Sequence, residues 1–159
     1  MSVKIHKPNG STKWFIFPDI HFPDHDEQAL KVALAAHRII KPDYTLFLGD
    51  VLDCGLFSKH SKRTLIENEA YDYNQLEVIP ANRLFDEVQK NTSKHTYFLE
   101  GNHCGRLERW AVDNGRVGES LYKLISPKAT LADHRKNFTM IPYAPPTGDR
   151  RGFVQIVPN

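Results

Sequence analysis

Residues 13–21 read Lys13-Trp14-Phe15-Ile16-Phe17-Pro18-Asp19-Ile20-His21. A compact apolar run, Trp14–Phe17, closes at a proline, and a carboxylate and an imidazole follow at once. The pattern recurs twice. Tyr44-Thr45-Leu46-Phe47-Leu48 leads into Gly49-Asp50-Val51-Leu52-Asp53, and Thr96-Tyr97-Phe98-Leu99 leads, through Glu100, into Gly101-Asn102-His103. Short apolar runs rich in aromatic and β-branched residues read as buried strands. Each motif sits where its strand should end.

The segments between these runs carry helical signals. Asp24 and Asp26 offer N-caps for a helix through Ala29, Leu30, Ala33, Leu34 and Ile40, and Lys41-Pro42 stops it. Residues 57–73 are polar and aperiodic, and read as a loop or short helices over the strand ends. Leu76, Ile79, Leu84, Phe85 and Val88 mark a helical segment that Pro80 kinks or divides. A short helix through Leu107, Trp110 and Val112 ends near Asn114-Gly115. The last third is less regular, with strands expected at Phe138–Ile141 and Phe153–Val157. Strands alternating with helices predict an α/β fold with a parallel sheet. In such sheets ligands bind at the carboxyl ends of the strands, so the three motifs are expected to meet at one edge.

Composition sets the frame. The 159 residues suffice for one domain with a core, expected to span 1–159. Hydrophobic residues make up 40% and charged residues 25%, as in soluble globular proteins. The net charge of +2 points to no particular partner, and a pI near 8.5 is below that of a dedicated nucleic-acid binder. No apolar run is long enough for a signal peptide or a membrane span, so a cytoplasmic location is expected and no membrane partner. Cys54 and Cys104 make no disulfide framework and read as free thiols of a reducing compartment.

The motif residues are those of metal chemistry. Asp19 and His21 are two apart, so both can turn toward one ion. A carboxylate with an imidazole suits Mn²⁺, Fe or Zn²⁺ better than Ca²⁺. Asp50 has two oxygens and can bridge two cations, and Asn102 offers a carbonyl oxygen to the second. Two cations ~3.5–4 Å apart can clamp a phosphoryl group. His103 is placed to protonate a leaving oxygen. Each motif alone is a common turn, but three in order at three strand ends are not a coincidence of turns. Arg106 could contact a phosphate as a bidentate donor or lie on a solvated helix face. For Arg109 the solvated face is the expectation. Lys59, His60, Lys62 and Arg63 form a basic cluster that reads as a solvated loop or the lining of a phosphate-rich groove.

At residues 19–21, 49–53 and 101–103 the chain resembles the calcineurin-like metallophosphoesterases. Their pattern is Asp-x-His, Gly-Asp-x-x-Asp and Gly-Asn-His-(Asp/Glu), then a separate His and Gly-His-x-His. The resemblance covers roughly residues 13–112. It implies a four-layered α/β/β/α sandwich. It also implies a first metal held by Asp19 and His21, a bridging Asp50, a second metal on Asn102, and His103 as acid or phosphate contact.

Three departures stand out. Cys104 replaces the acidic residue that orients the histidine in the family. Cys54 stands where the protein Ser/Thr phosphatase branch has a phosphate-binding arginine. No Gly-His-x-His occurs, and the one histidine after His103 is His134, in a polar setting. The expectation is a fold incomplete at its C-terminus, with self-association or another polypeptide completing it. Function is expected to be phosphoester hydrolysis at two divalent metal ions, Mn²⁺ foremost, on a phosphorylated substrate. A nuclease acting on nucleic acid with the same metal core, or a non-catalytic binding module, are the alternatives.

Overall fold

The computed structural model describes residues 12–59 and 70–143, together with the backbone of the strands at 2–6 and 153–157. Strand β1 is Ser2–His6, β2 is Trp14–Phe17, β3 is Tyr44–Phe47, β4 is His95–Leu99, β5 is Phe138–Ile141 and β6 is Phe153–Val157. The strands β2-β3-β4-β5 form one sheet in that order, every pair parallel, and β1 pairs in parallel with β6 in a separate two-stranded sheet. The expected α/β architecture with a parallel sheet is present, and the three motif-bearing strands are adjacent.

The pleat sorts the side chains. Phe17, Phe47, Phe98 and Met140 are in register across the sheet and on one face. Phe17, Phe47 and Phe98 are almost wholly buried. Phe85 packs edge-on against Phe47 with centroids 4.8 Å apart, closing the main core. The other face carries Trp14, Tyr44 and Tyr97, with Trp14 stacked on Tyr44 at 4.6 Å. On the same face Ile16 and Leu48 are each 48% exposed.

Helix α1 is Glu27–Ile40. Asp26, and not Asp24, caps it: one Asp26 carboxylate oxygen accepts from the amides of Gln28 (2.8 Å) and Ala29 (2.9 Å). The helix ends at Lys41 in the left-handed region, just before Pro42. A wide helical turn, Asn74–Val78, runs straight into α2, Ile79–Asn91, with Pro80 in its first turn. Pro80 has no amide to donate, and the turn before it is widened, with the Ile79 amide donating to the Asn74 carbonyl.

Helix α3 is Cys104–Asp113 and α4 is Gly115–Ile125. α4 was not anticipated. Its glycines look like breakers, yet Gly115 only supplies a left-handed residue (φ +59°) between the helices. Gly118 lets the backbones touch, since a Cβ there would collide with the Ala111 carbonyl. No helix among the described residues is long and apolar enough to cross a membrane.

Candidate metal centre

The loops after β2 and β3 are stitched together by backbone hydrogen bonds. Leu48 donates to the Phe17 carbonyl at 2.9 Å and ends the regular pairing. The amides of Ile20 and His21 then both converge on the Asp50 carbonyl, at 3.1 and 2.8 Å. Phe22 donates to Val51 (2.9 Å) and Asp53 to Phe22 (3.1 Å). His21 (φ 60°) and Asp50 (φ 45°) both occupy the left-handed region. Histidine and aspartate tolerate it better than branched residues do, and such geometry concentrates at functional sites.

Two glycines make room for this. Gly49 has φ +121°, and a Cβ on it would lie 3.1 Å from the Gly101 Cα. A Cβ on Gly101 would collide with the carboxylate and amide of Asp50. The third motif therefore lies directly against the second. The His103 amide donates to Asp50 Oδ1 at 2.8 Å.

Ligand atoms of Asp19, His21 and Asp50 lie within 4.8 Å of one another, and those of His21, Asp53 and His103 form a second such group. The imidazoles of His21 and His103 meet edge to face with centroids 4.5 Å apart. Asp50 is buried, His21 is partly open and Asp19 is exposed, so one side of the cluster faces solvent. Two carboxylates and an imidazole converging at a solvent-facing edge are a donor set that fits a divalent cation.

His103 is held on both ring nitrogens. Nδ1 is 2.8 Å from Asp53 Oδ1, and Arg106 Nη2 donates to Nε2 at 3.0 Å. Arginine can only donate. Nε2 is therefore the acceptor, and the ring proton sits on Nδ1 and is given to Asp53. Arg106 Nη1 also donates to the Asp53 carbonyl at 2.9 Å.

The loss of an acidic residue at Cys104 thus does not leave His103 unoriented. Asp53, the second carboxylate of Gly-Asp-x-x-Asp, does that work. The sequence motif places Asp53 three residues after Asp50 and assigns it no partner, because the contact with His103 is made only by the fold. Cys54 and Cys104 are free and wholly buried in the core. A hydrogen bond to the Cys104 thiol, and then burial, push the Cys54 thiol well above its ordinary value. Burial also pushes the Glu100 carboxyl up to about 7.

Asn102 is exposed and directly precedes His103 at the same loop. Arg106 belongs to the cluster. Arg109 does not touch it, and makes no hydrogen bond or ion pair among the described residues. His134 lines a polar cavity with Lys94, His95 and Lys136 at the start of β4, the opposite edge of the sheet. Lys59 pairs with Asp113 at 2.5 Å. The rest of its basic cluster, His60, Lys62 and Arg63, lies outside the described residues.

The sequence profile of the calcineurin-like phosphoesterase family matches residues 13–150, most of the chain. The chain belongs to the calcineurin-like phosphoesterases. Membership implies phosphoester hydrolysis with divalent metal, the chemistry this donor set suits. No curated protein and no solved structure gives a significant match.

Proposed function

We propose that the chain hydrolyses phosphate mono- or diesters at a centre of two divalent cations, Mn²⁺ foremost and Fe or Zn²⁺ as alternatives. One observation carries the reading: Asp19, His21 and Asp50, from two different loops, offer ligand atoms within 4.8 Å of one another. Asp19 and His21 would hold one cation, Asp50 would be shared with the second, and Asn102 would complete that second site. Bound metal supplies Lewis-acid polarisation of the phosphoryl group and a nucleophile from water at neutral pH.

The chain's own residues position the substrate and move a proton. Arg106 Nη2 rests on His103 Nε2 in the free site. A phosphate oxygen is a stronger acceptor than a neutral imidazole, so an arriving phosphate draws that donor away. Nε2 is then free to take up a proton from solvent water, and Asp53, hydrogen-bonded through Nδ1, stabilises the resulting imidazolium. His103 gives this proton to the leaving oxygen as general acid.

The test is turnover of bis-p-nitrophenyl phosphate and p-nitrophenyl phosphate by the purified chain with Mn²⁺, before and after chelation. Calorimetric titration of Mn²⁺ runs beside it. The expected result is Mn²⁺ binding, with little turnover by the 159 residues alone and, where a second copy or another polypeptide completes the fold, turnover that chelation removes and metal restores. Failure to bind Mn²⁺ at all would sink the reading.

A further inference from the structure

Beside the dyad of Asp53 and His103 lies a cavity of about 290 Å³. This is near the lower end of the range for small-molecule sites. One wall is the face of α3 that carries Arg106, Arg109, Trp110 and Asp113, spaced i, i+3, i+4 and i+7. The opposite wall, from the loop after β3, brings Phe57 and Lys59. Arg106 joins the two sites, since it lines the cavity and also donates to His103 Nε2 at 3.0 Å.

The lining has an order along the helix. Arg106 is at the dyad. One turn on, the Trp110 ring lies 5.4 Å from that of Phe57, and Phe57 is backed by Tyr73 at 5.3 Å. Arg109 stands beside this aromatic wall without an ionic partner among the described residues. The Lys59–Asp113 pair closes the far end as an internally neutral polar group. The helix rises about 10 Å from Arg106 to Asp113. A supported aromatic face beside a guanidinium with no ionic partner among the described residues suits a planar ring on an anionic stem. The helical turn between Arg106 and Trp110, about 6 Å, calls for a spacer between phosphate and ring.

We propose that this cavity takes the nucleoside part of a nucleotide substrate. The base stacks on Trp110, Arg109 meets the phosphate beside the sugar, and the Lys59–Asp113 pair faces the polar edge of the base. The proposal rests on the phosphoesterase reading, since that reading puts the reacting phosphate at His103. It makes Trp110 and Arg109 specificity-determining residues.

The test is titration of the full metal-free chain, so that no turnover competes, with adenosine 5′-monophosphate, ribose 5-phosphate and phenyl phosphate. Indole N–H signals are followed by NMR. The chain has two tryptophans, and Trp14 on the far face of the sheet is the internal control. Adenosine 5′-monophosphate should move the Trp110 signal and not that of Trp14. It should bind roughly tenfold or more tighter than ribose 5-phosphate, as expected for one base on one aromatic side chain. Trp110→Leu should erase that advantage and Trp110→Phe should keep most of it. Arg109→Gln, at an exposed position, should weaken the nucleotide and the sugar phosphate by the same several-fold factor.

An unmoved Trp110 signal, equal affinity for adenosine 5′-monophosphate and ribose 5-phosphate, or phenyl phosphate matching the nucleotide would each overturn the proposal. Calorimetric titration of Mn²⁺ into the same sample separates the two failures. Mn²⁺ binding without nucleotide preference sinks the cavity assignment alone, and absence of both sinks the phosphoesterase reading with it.

Discussion

Asp53 and His103, fifty residues apart, are joined by a hydrogen bond of 2.8 Å from Nδ1 to Oδ1. With Arg106 donating to the other ring nitrogen at 3.0 Å, the imidazole is fixed in one tautomer and one orientation. That arrangement makes the first prediction specific. Asp53→Ala removes the acceptor of the Nδ1 proton, and the ring loses both its tautomer preference and the stabilisation of its charged form. Turnover should fall by roughly 10²–10⁴, the size of a general acid–base contribution. Nitrogen NMR of the histidines should show the Nδ1–H form of His103 giving way to a mixture. Unchanged tautomer populations would show that Asp53 does not orient the ring.

Asp50→Asn and His103→Gln should part company in a metal titration. Asp50 offers its carboxylate to the cluster with Asp19 and His21, while its Oδ1 also accepts from the His103 amide. A neutral amide there cannot offset cationic charge, so Mn²⁺ affinity should collapse. His103→Gln leaves that amide contact intact, because it is backbone, and should spare Mn²⁺ binding while slowing turnover. Equal loss of metal in both variants would show that the roles are divided wrongly.

Gly101→Ala tests the packing that brings the motifs together. The added methyl would collide with the Asp50 carboxylate and amide, so the third loop must retreat from the second. Overpacking of this kind costs about 1–3 kcal/mol, and Mn²⁺ affinity should fall with stability. Gly115→Ala is the comparison, because its Cβ would meet nothing within 4 Å and only its φ of +59° is strained. It should lower the melting temperature and leave Mn²⁺ binding unaltered. A Gly101→Ala protein with normal Mn²⁺ affinity would mean that the loop contact does not shape the site.

Strand ends and motifs were legible because they depend on local chemistry. Apolar runs such as Trp14–Phe17 and Tyr44–Phe47 bury one face in the main core, through Phe17 and Phe47, and a proline or glycine followed by a polar ligand marks where the pleat stops. The partnership of Asp53 with His103 was less legible, because it is made by tertiary contact between two loops. Its nearest sequence proxy, the residue after His103, is a cysteine here. Helix α4 was missed for a different reason. Val117, Leu121 and Leu124 recur at helical spacing, but Gly118 stands inside their stripe, and at 70%, 42% and 71% exposed they join no core that would have marked it. Gly118, which reads as a breaker, is there to let α3 approach. The cavity along α3 was hidden because Arg109 and Trp110 gain meaning only when Phe57 is brought opposite them.

The last prediction concerns a buried histidine away from the site. His37 is 1% exposed, with its ring edge-on to Phe15 at 5.1 Å and Nε2 2.9 Å from Thr45 Oγ1. Burial lowers its pKa below the ordinary 6.5, and the nearby Glu87 carboxylate only partly opposes this. The native ring therefore binds fewer protons than the unfolded one wherever pH lies between its lowered value and 6.5. Stability contributed by neutral His37 is present in full above about pH 6.5 and is lost as pH falls below it. His37→Gln is neutral at every pH and can still hydrogen-bond Thr45. At pH 7.5 it should cost about 1 kcal/mol, for an altered hydrogen bond in a tight site. As pH is lowered from 7.5 to 5, wild type should lose stability faster than the variant, so the gap narrows and can invert. Urea unfolding of both metal-free proteins at pH 7.5, 6.5, 5.5 and 5 measures this directly. A gap that stays constant across the series would show that His37 does not titrate differently in the folded and unfolded states.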